Sequence, residues 1–190
     1  MPYVEGESLR ERLDREQCLS VEESVRHGQA IASALDYASR QGIVHRDIKP
    51  ENVMLYEGEA MVMDFGIAKA VSGIGAATLT QTGMMVGTPA YVSPEQASGD
   101  DRLDGRSDQY SLACMVYEML AGERPFTGAT AQAVMSRRFT ETAKPLRTVR
   151  EAVPEYVERA VTRAMSVDPD HRFPTTVLKE IGDHLLEWAG

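Results

Sequence analysis

His45, Arg46, Asp47, Lys49, Glu51 and Asn52 fall within eight residues, between the apolar runs Ile43–Val44 and Val53–Leu55. A charge removed from water costs several kcal/mol unless it is paired, so this group needs partners or a task. Asp64 follows soon after, in Asp64-Phe65-Gly66. Among these side chains are carboxylates able to take up a proton and a lysine able to face an anion. Asn52 and Asp64 add further oxygen donors.

The flanking pattern indicates what must position them. Residues 7–16, ESLRERLDRE, predict a short charged helix. Ser20 with Glu23 has the spacing of a capping box. Val21, Val25, Ile31, Ala34 and Leu35 then recur at helical spacing until Gly42, so 20–41 is a second helix. The apolar segments 53–56 and 60–63 are split by Glu57-Gly58-Glu59, which predicts a small hairpin. Residues 66–94 are rich in Gly, Thr and Ser without a period, which fits a long loop, functional or disordered. Gly105 to Ala121 is apolar enough to be buried on most sides, with Gly122 as its C-cap. Further helices are expected near 129–138, 154–165 and 174–188, separated by prolines. The fold class is therefore mainly α with a small β-hairpin region.

Two ordered motifs carry a resemblance. His45-Arg46-Asp47 with Asn52, and then Asp64-Phe65-Gly66, resemble the catalytic loop and metal-binding turn of protein kinases. Gly87 to Glu95, GTPAYVSPE, resembles the end of a kinase activation segment, with Ser93-Pro94-Glu95 in place of Ala-Pro-Glu. Ser107 to Leu112 resembles the start of the central helix of the large lobe, and Asp168 to Arg172 a late turn whose arginine pairs with Glu95. Ser-Pro-Glu-Gln at 93–96 is similar to bacterial serine/threonine kinases of the eukaryotic (Hanks) type.

That resemblance implies a role for each residue. Asp47 would accept the proton of a protein serine or threonine hydroxyl, and Lys49 would neutralise the transferring phosphoryl group of ATP. Asn52 and Asp64 would hold Mg²⁺. Thr88 would shape the acceptor pocket. Tyr3 and Val4 would border adenine, with Met54 beneath it over Met115 and Met119. Arg46 would meet a phosphate on Thr80 or Thr82. His45 would pack on Phe65, its backbone held by Asp108. Ser93 for alanine is expected to be without consequence, and Ala113, where the family usually has glycine, is expected to meet a tight spot.

The same resemblance implies an omission. Residues 1–42 contain no Gly-rich phosphate loop, no strand lysine and no partner glutamate. Residues 1–6 resemble the hinge, so 1–190 is expected to be the large lobe alone, with the catalytic loop at 45–52 and the activation segment at 64–95. Removing one such positioning group costs about 10²–10³ in rate, so the chain alone is expected to turn over weakly or not at all. Three readings stay open: a piece of an active kinase, a non-catalytic docking module, and half of a kinase completed by a small lobe or second kinase molecule. Met1, Tyr3, Met54 and Leu55 would then form an exposed apolar patch.

Bulk properties exclude several other classes. The chain has 190 residues and a net charge of −9, with 29 acidic against 20 basic residues, which disfavours nucleic-acid binding. Cys18 and Cys114 form neither a metal cluster nor a disulfide framework, and no apolar run reaches membrane-spanning length, which fits a cytoplasmic setting. His27, His171 and His184 are read as surface or packing residues, Cys114 as core, and Asp100, Asp101 and Asp104 as a solvated loop.

Overall fold

The computed structural model describes residues 6–65, 89–100 and 103–174. Tyr3, Val4, Thr80, Thr82, Thr88, Asp101, His184 and the helix expected beyond Pro174 lie outside the described residues.

The chain enters as a two-residue strand, β1 (Glu7–Ser8), and turns at once into α1 (Leu9–Glu16). The single helix expected over 7–16 is thus shortened. Glu7 and Ser8 pair with Leu55 and Met54, and the extended Ser8 instead caps α1. Its hydroxyl accepts from the Glu11 N–H while Glu11 accepts from the Ser8 N–H at 2.7 Å. Gly6 is required at the entry, because a Cβ there would sit 2.5 Å from the Leu55 carbonyl oxygen.

Helix α2 (Val21–Arg40) begins as expected at Ser20, whose hydroxyl accepts from the Glu23 N–H. Here the box is only half made, since Glu23 turns its carboxylate towards Arg12 and His27. Strands β2 (Val53–Tyr56) and β3 (Glu59–Val62) form the hairpin and complete an antiparallel sheet in the order β1-β2-β3. Glu57 and Gly58, both with positive φ, make its two-residue turn. Val53 and Leu55 point into the core and Tyr56 outward. Leu55 therefore does not join an exposed patch, because the alternation of the strand turns it inward.

After α3 (Pro94–Ala97) comes the central α4 (Gly105–Ala121), buried along almost its whole length as its composition predicts. Gly122 ends it in the left-handed conformation, φ 73°, donating its N–H to the Glu118 carbonyl. Helices α5 (Ala131–Thr140), α6 (Leu146–Val149) and α7 (Glu155–Ala164) follow. In α7, Val157, Val161 and Ala164 share one buried stripe. Helices α2 and α7 pack on α4, and α2 also meets β3.

The close approach between α2 and α4 rests on Gly28, where a Cβ would come within 3.2 Å of Val116 Cγ2. Ala113 instead borders an apolar groove between α2, α4 and α7, so its methyl has room and meets no tight spot. His27 proves to be core, 1% exposed in α2, and burial holds its ring below the ordinary histidine pKa. His171 is exposed, and Cys114 is buried as expected. No helix among the described residues is long and apolar enough to cross a membrane.

Candidate active site

The catalytic-loop stretch is held by side chains from distant elements. Asp108, on the first turn of α4, is 3% exposed. Its Oδ2 accepts from the His45 N–H at 2.7 Å and its Oδ1 from the Arg46 N–H at 2.8 Å. Burial pushes the Asp108 carboxyl up, while the two N–H donors pull it down. Arg46 has φ 66°, a left-handed conformation that costs a non-glycine residue about 1–3 kcal/mol. The hydrogen bonds around it hold that strain in place.

His45 is fully buried, its ring centroid 4.9 Å from that of Phe65. The Asp47 N–H lies 3.3 Å from His45 Nδ1, and Nε2 lies 2.9 Å from the Met63 carbonyl. The Nε2–H tautomer satisfies both contacts: Nδ1 accepts and Nε2 donates. His45 thereby ties the 45–52 stretch to the turn that carries Asp64.

Asp47 itself is partly open, its side chain 31% exposed. Lys49 Nζ lies 3.0 Å from Asp47 Oδ2. Asn52 Nδ2 donates to the Asp47 carbonyl at 2.7 Å and to Oδ2 at 3.2 Å. With its nitrogen committed to Asp47, the Asn52 amide directs Oδ1 away from that residue. Asn52 also accepts from the Met63 N–H at 2.8 Å through its own carbonyl, which brings the turn at Asp64, φ 54°, beside it. An amide oxygen and a carboxylate are hard donors of the kind Mg²⁺ takes, so the residue types fit that ion. Met54 is half-buried on β2. Met115 and Met119 are fully buried in α4.

Helix α3 is anchored by the ion pair that the resemblance implied. Arg172 Nη1 and Nη2 lie 2.7 and 2.8 Å from the two oxygens of Glu95, and its side chain is fully buried. Burial alone would raise the Glu95 carboxyl, but the Arg172 fork and the Ser107 hydroxyl at 2.6 Å hold it below its ordinary value.

Several contacts escaped the sequence reading. Ser93, expected to be inconsequential, caps α3 in a reciprocal box with Gln96. Gln96 Nε2 then donates to the Arg46 carbonyl at 2.9 Å. The S-x-x-Q spacing carried the capping signal; nothing local pointed to Arg46. Tyr91, buried, donates its hydroxyl to Glu118 of α4, which also accepts from Arg10 of α1 at 3.0 Å. Burial and the Glu118 charge push the Tyr91 phenol well up. Arg124 stacks over the Tyr91 ring, 5.7 Å from its centroid.

The protein kinase domain family matches residues 1–184, and the chain belongs to that family. It is 43% identical over 176 residues to the probable serine/threonine-protein kinase PknB of Bifidobacterium longum, covering 92% of this chain and 25% of that protein. It is 38% identical over 176 residues to the serine/threonine-protein kinase PknB of Mycobacterium tuberculosis, covering 92% of this chain and 28% of the relative. The chain thus spans about a quarter of the length of these curated relatives. The crystal structure of Rad53 1-466 in complex with AMP-PNP matches with a TM-score of 0.75 at 25% identity, over 94% of this chain and 44% of that one.

Proposed function

We propose that residues 1–190 form the large lobe of a serine/threonine protein kinase, which transfers the terminal phosphoryl group of ATP to protein hydroxyls. The carrying observation is Asp47: its carboxylate is half-open, bracketed by Lys49 and Asn52, on a backbone held by Asp108. Asp47 orients the acceptor hydroxyl and takes its proton, and positioning does most of that work. Lys49, 3.0 Å away, faces the charge of the moving phosphoryl group. Asn52 Oδ1 and the Asp64 carboxylate hold Mg²⁺, which when bound neutralises the phosphate oxygens. Met54, with Tyr3 and Val4, borders adenine, and Thr88 closes the acceptor side. Arg46 receives the phosphate of a modified Thr80 or Thr82. The AMP-PNP of the matching Rad53 structure supports a nucleotide at this site.

Residues 1–42 carry no phosphate loop or strand lysine, so a small lobe is needed to complete the clamp. The test joins a small lobe from another kinase of the family ahead of residue 1 and measures transfer from radiolabelled ATP to a serine/threonine peptide library. The joined protein should transfer phosphate, Asp47→Asn should abolish it, and the 190-residue chain alone should do far less. Transfer no greater than that of Asp47→Asn would leave a docking module as the better reading.

A further inference from the structure

Gln96 has two jobs that can be separated. Its Oε1 accepts from the Ser93 N–H at 3.2 Å and from the Ser93 hydroxyl at 3.0 Å, which closes the cap of α3. Its Nε2 donates to the Arg46 carbonyl at 2.9 Å, fifty residues away along the chain. Gln96 is 6% exposed, so water does not readily replace either contact.

The Arg46 carbonyl belongs to the peptide unit whose N–H is that of Asp47. Rotating that plane swings the Asp47 side chain. Asp108 grips the His45 and Arg46 N–H groups. The 3.3 Å contact from the Asp47 N–H to His45 Nδ1 is long and weak. Gln96 supplies the shorter bond to this peptide, at its carbonyl. The left-handed residue between them, φ 66°, would otherwise relax.

We propose that Gln96 is a positioning residue for Asp47, coupling the end of the activation segment to the catalytic loop through the Arg46 carbonyl. The proposal rests on the kinase reading only where it speaks of rate. Gln96 and Glu95 are adjacent on α3, so the helix that Arg172 anchors is also the one that holds the Arg46 peptide. An amide is suited to both jobs at once, because it accepts at one atom and donates at the other. Disturbing α3 therefore turns the Asp47 peptide without any contact to substrate.

The chemistry provides a test with opposite signs. Gln96→Glu keeps the acceptor for Ser93 but sets a carboxylate oxygen against the Arg46 carbonyl. If Gln96 only capped α3, Glu would serve equally well. Gln96→Met removes both contacts at similar volume. In isotope-labelled 190-residue chain, Gln96→Glu should shift the Arg46 carbonyl and Asp47 amide resonances while leaving the Ser93 amide near its wild-type position. Gln96→Met should shift all of them. In the protein joined to a small lobe, both variants should lower kcat by about 10- to 100-fold, the scale of a small misplacement of a reacting group, with the KM for ATP unchanged. An unmoved Asp47 amide in Gln96→Glu, or an unchanged kcat, overturns the proposal. A loss seen equally in KM and kcat and tracking a lower melting temperature overturns it too. If the resonances move as stated while the joined wild type transfers no phosphate, the kinase reading fails and the coupling stands.

Discussion

Breaking the Glu95–Arg172 pair should be the most damaging single change far from Asp47. Arg172 is fully buried and uses all of its guanidinium nitrogens. Nη1 and Nη2 grip Glu95 at 2.7 and 2.8 Å, Nε donates to the Ser166 carbonyl at 2.8 Å, Nη1 to that of Arg106 at 2.8 Å, and Nη2 to that of Val167 at 3.1 Å. Its guanidinium also lies 4.9 Å from the centroid of the Tyr110 ring. Glu95→Gln leaves that cation buried without its counter-charge, and Arg172→Met leaves the carboxylate with only Ser107 while three carbonyls lose a donor. Removing one member of a buried pair costs about 3–5 kcal/mol. At this chain length that is about 6–20 °C in Tm, and a large share of a typical total stability of about 5–15 kcal/mol. Urea unfolding followed by circular dichroism would measure both single variants and the double. The double should lose at least ~2 kcal/mol less than the sum of the singles, because its second change removes a group already orphaned. Single losses under ~1 kcal/mol, or additivity within ~0.5 kcal/mol, would refute the reasoning.

The same pair sets a pH dependence. Glu95 is held below its ordinary value of 4.5, so its contribution is fully present above pH 4.5 and is lost as pH falls through the depressed folded value. Glu95→Gln should flatten the acid limb of a stability–pH curve below 4.5, and an unchanged slope would count against it. Asp108→Asn keeps one acceptor but turns an NH₂ group towards a second buried N–H. It should cost about 1–3 kcal/mol by urea unfolding and abolish transfer in the joined protein; wild-type stability and rate would show that the loop is held otherwise. The 190-residue chain should bind Mg-ATP weakly by calorimetry, because nothing in residues 1–42 has the sequence of a phosphate loop. A low-micromolar Kd would contradict that.

Much of the site was legible because its signals are local. His45 to Asn52 and Asp64 to Gly66 lie in two short runs, and Glu57-Gly58 marks the turn between the strands. The apolar run that became α4 needs no knowledge of its neighbours. What stayed hidden depends on pairing across the chain. Strand β1 has only two residues, too few for a periodic signal, and its pairing with β2 shows only once folded. Leu55 looked exposed because the sheet that orients it includes Glu7, 48 positions earlier. Tyr91 reaches Glu118 and Arg10 across gaps of 27 and 81 residues. Ser93 looked like a harmless replacement because its family position says nothing of Gln96 beyond. The Glu95–Arg172 pair was foreseen through resemblance alone, since no spacing rule links residues 77 apart.

The buried polar groups of this chain share one feature that apolar packing cannot provide. Burial of apolar surface is non-directional, so it holds α2 and α7 on α4 without fixing how a loop turns. Several of the described loops around α4 are instead held by a polar side chain bonded to their backbone. Asp108 takes the N–H groups of His45 and Arg46, and Ser111 donates to the Tyr91 carbonyl at 2.7 Å. Gln109 bonds both the N–H and the carbonyl of Phe173, and Tyr117 donates to the Lys144 carbonyl. Arg150 reaches the carbonyls of Leu19 and Leu120. These bonds are short and directional, so they set orientation rather than mere proximity. Substitutions along α4 should therefore divide by type. Trimming Met115 or Met119 lowers global stability, whereas changing Asp108, Gln109 or Ser111 frees a particular loop, and of these only Asp108 holds the backbone of the two residues that precede Asp47.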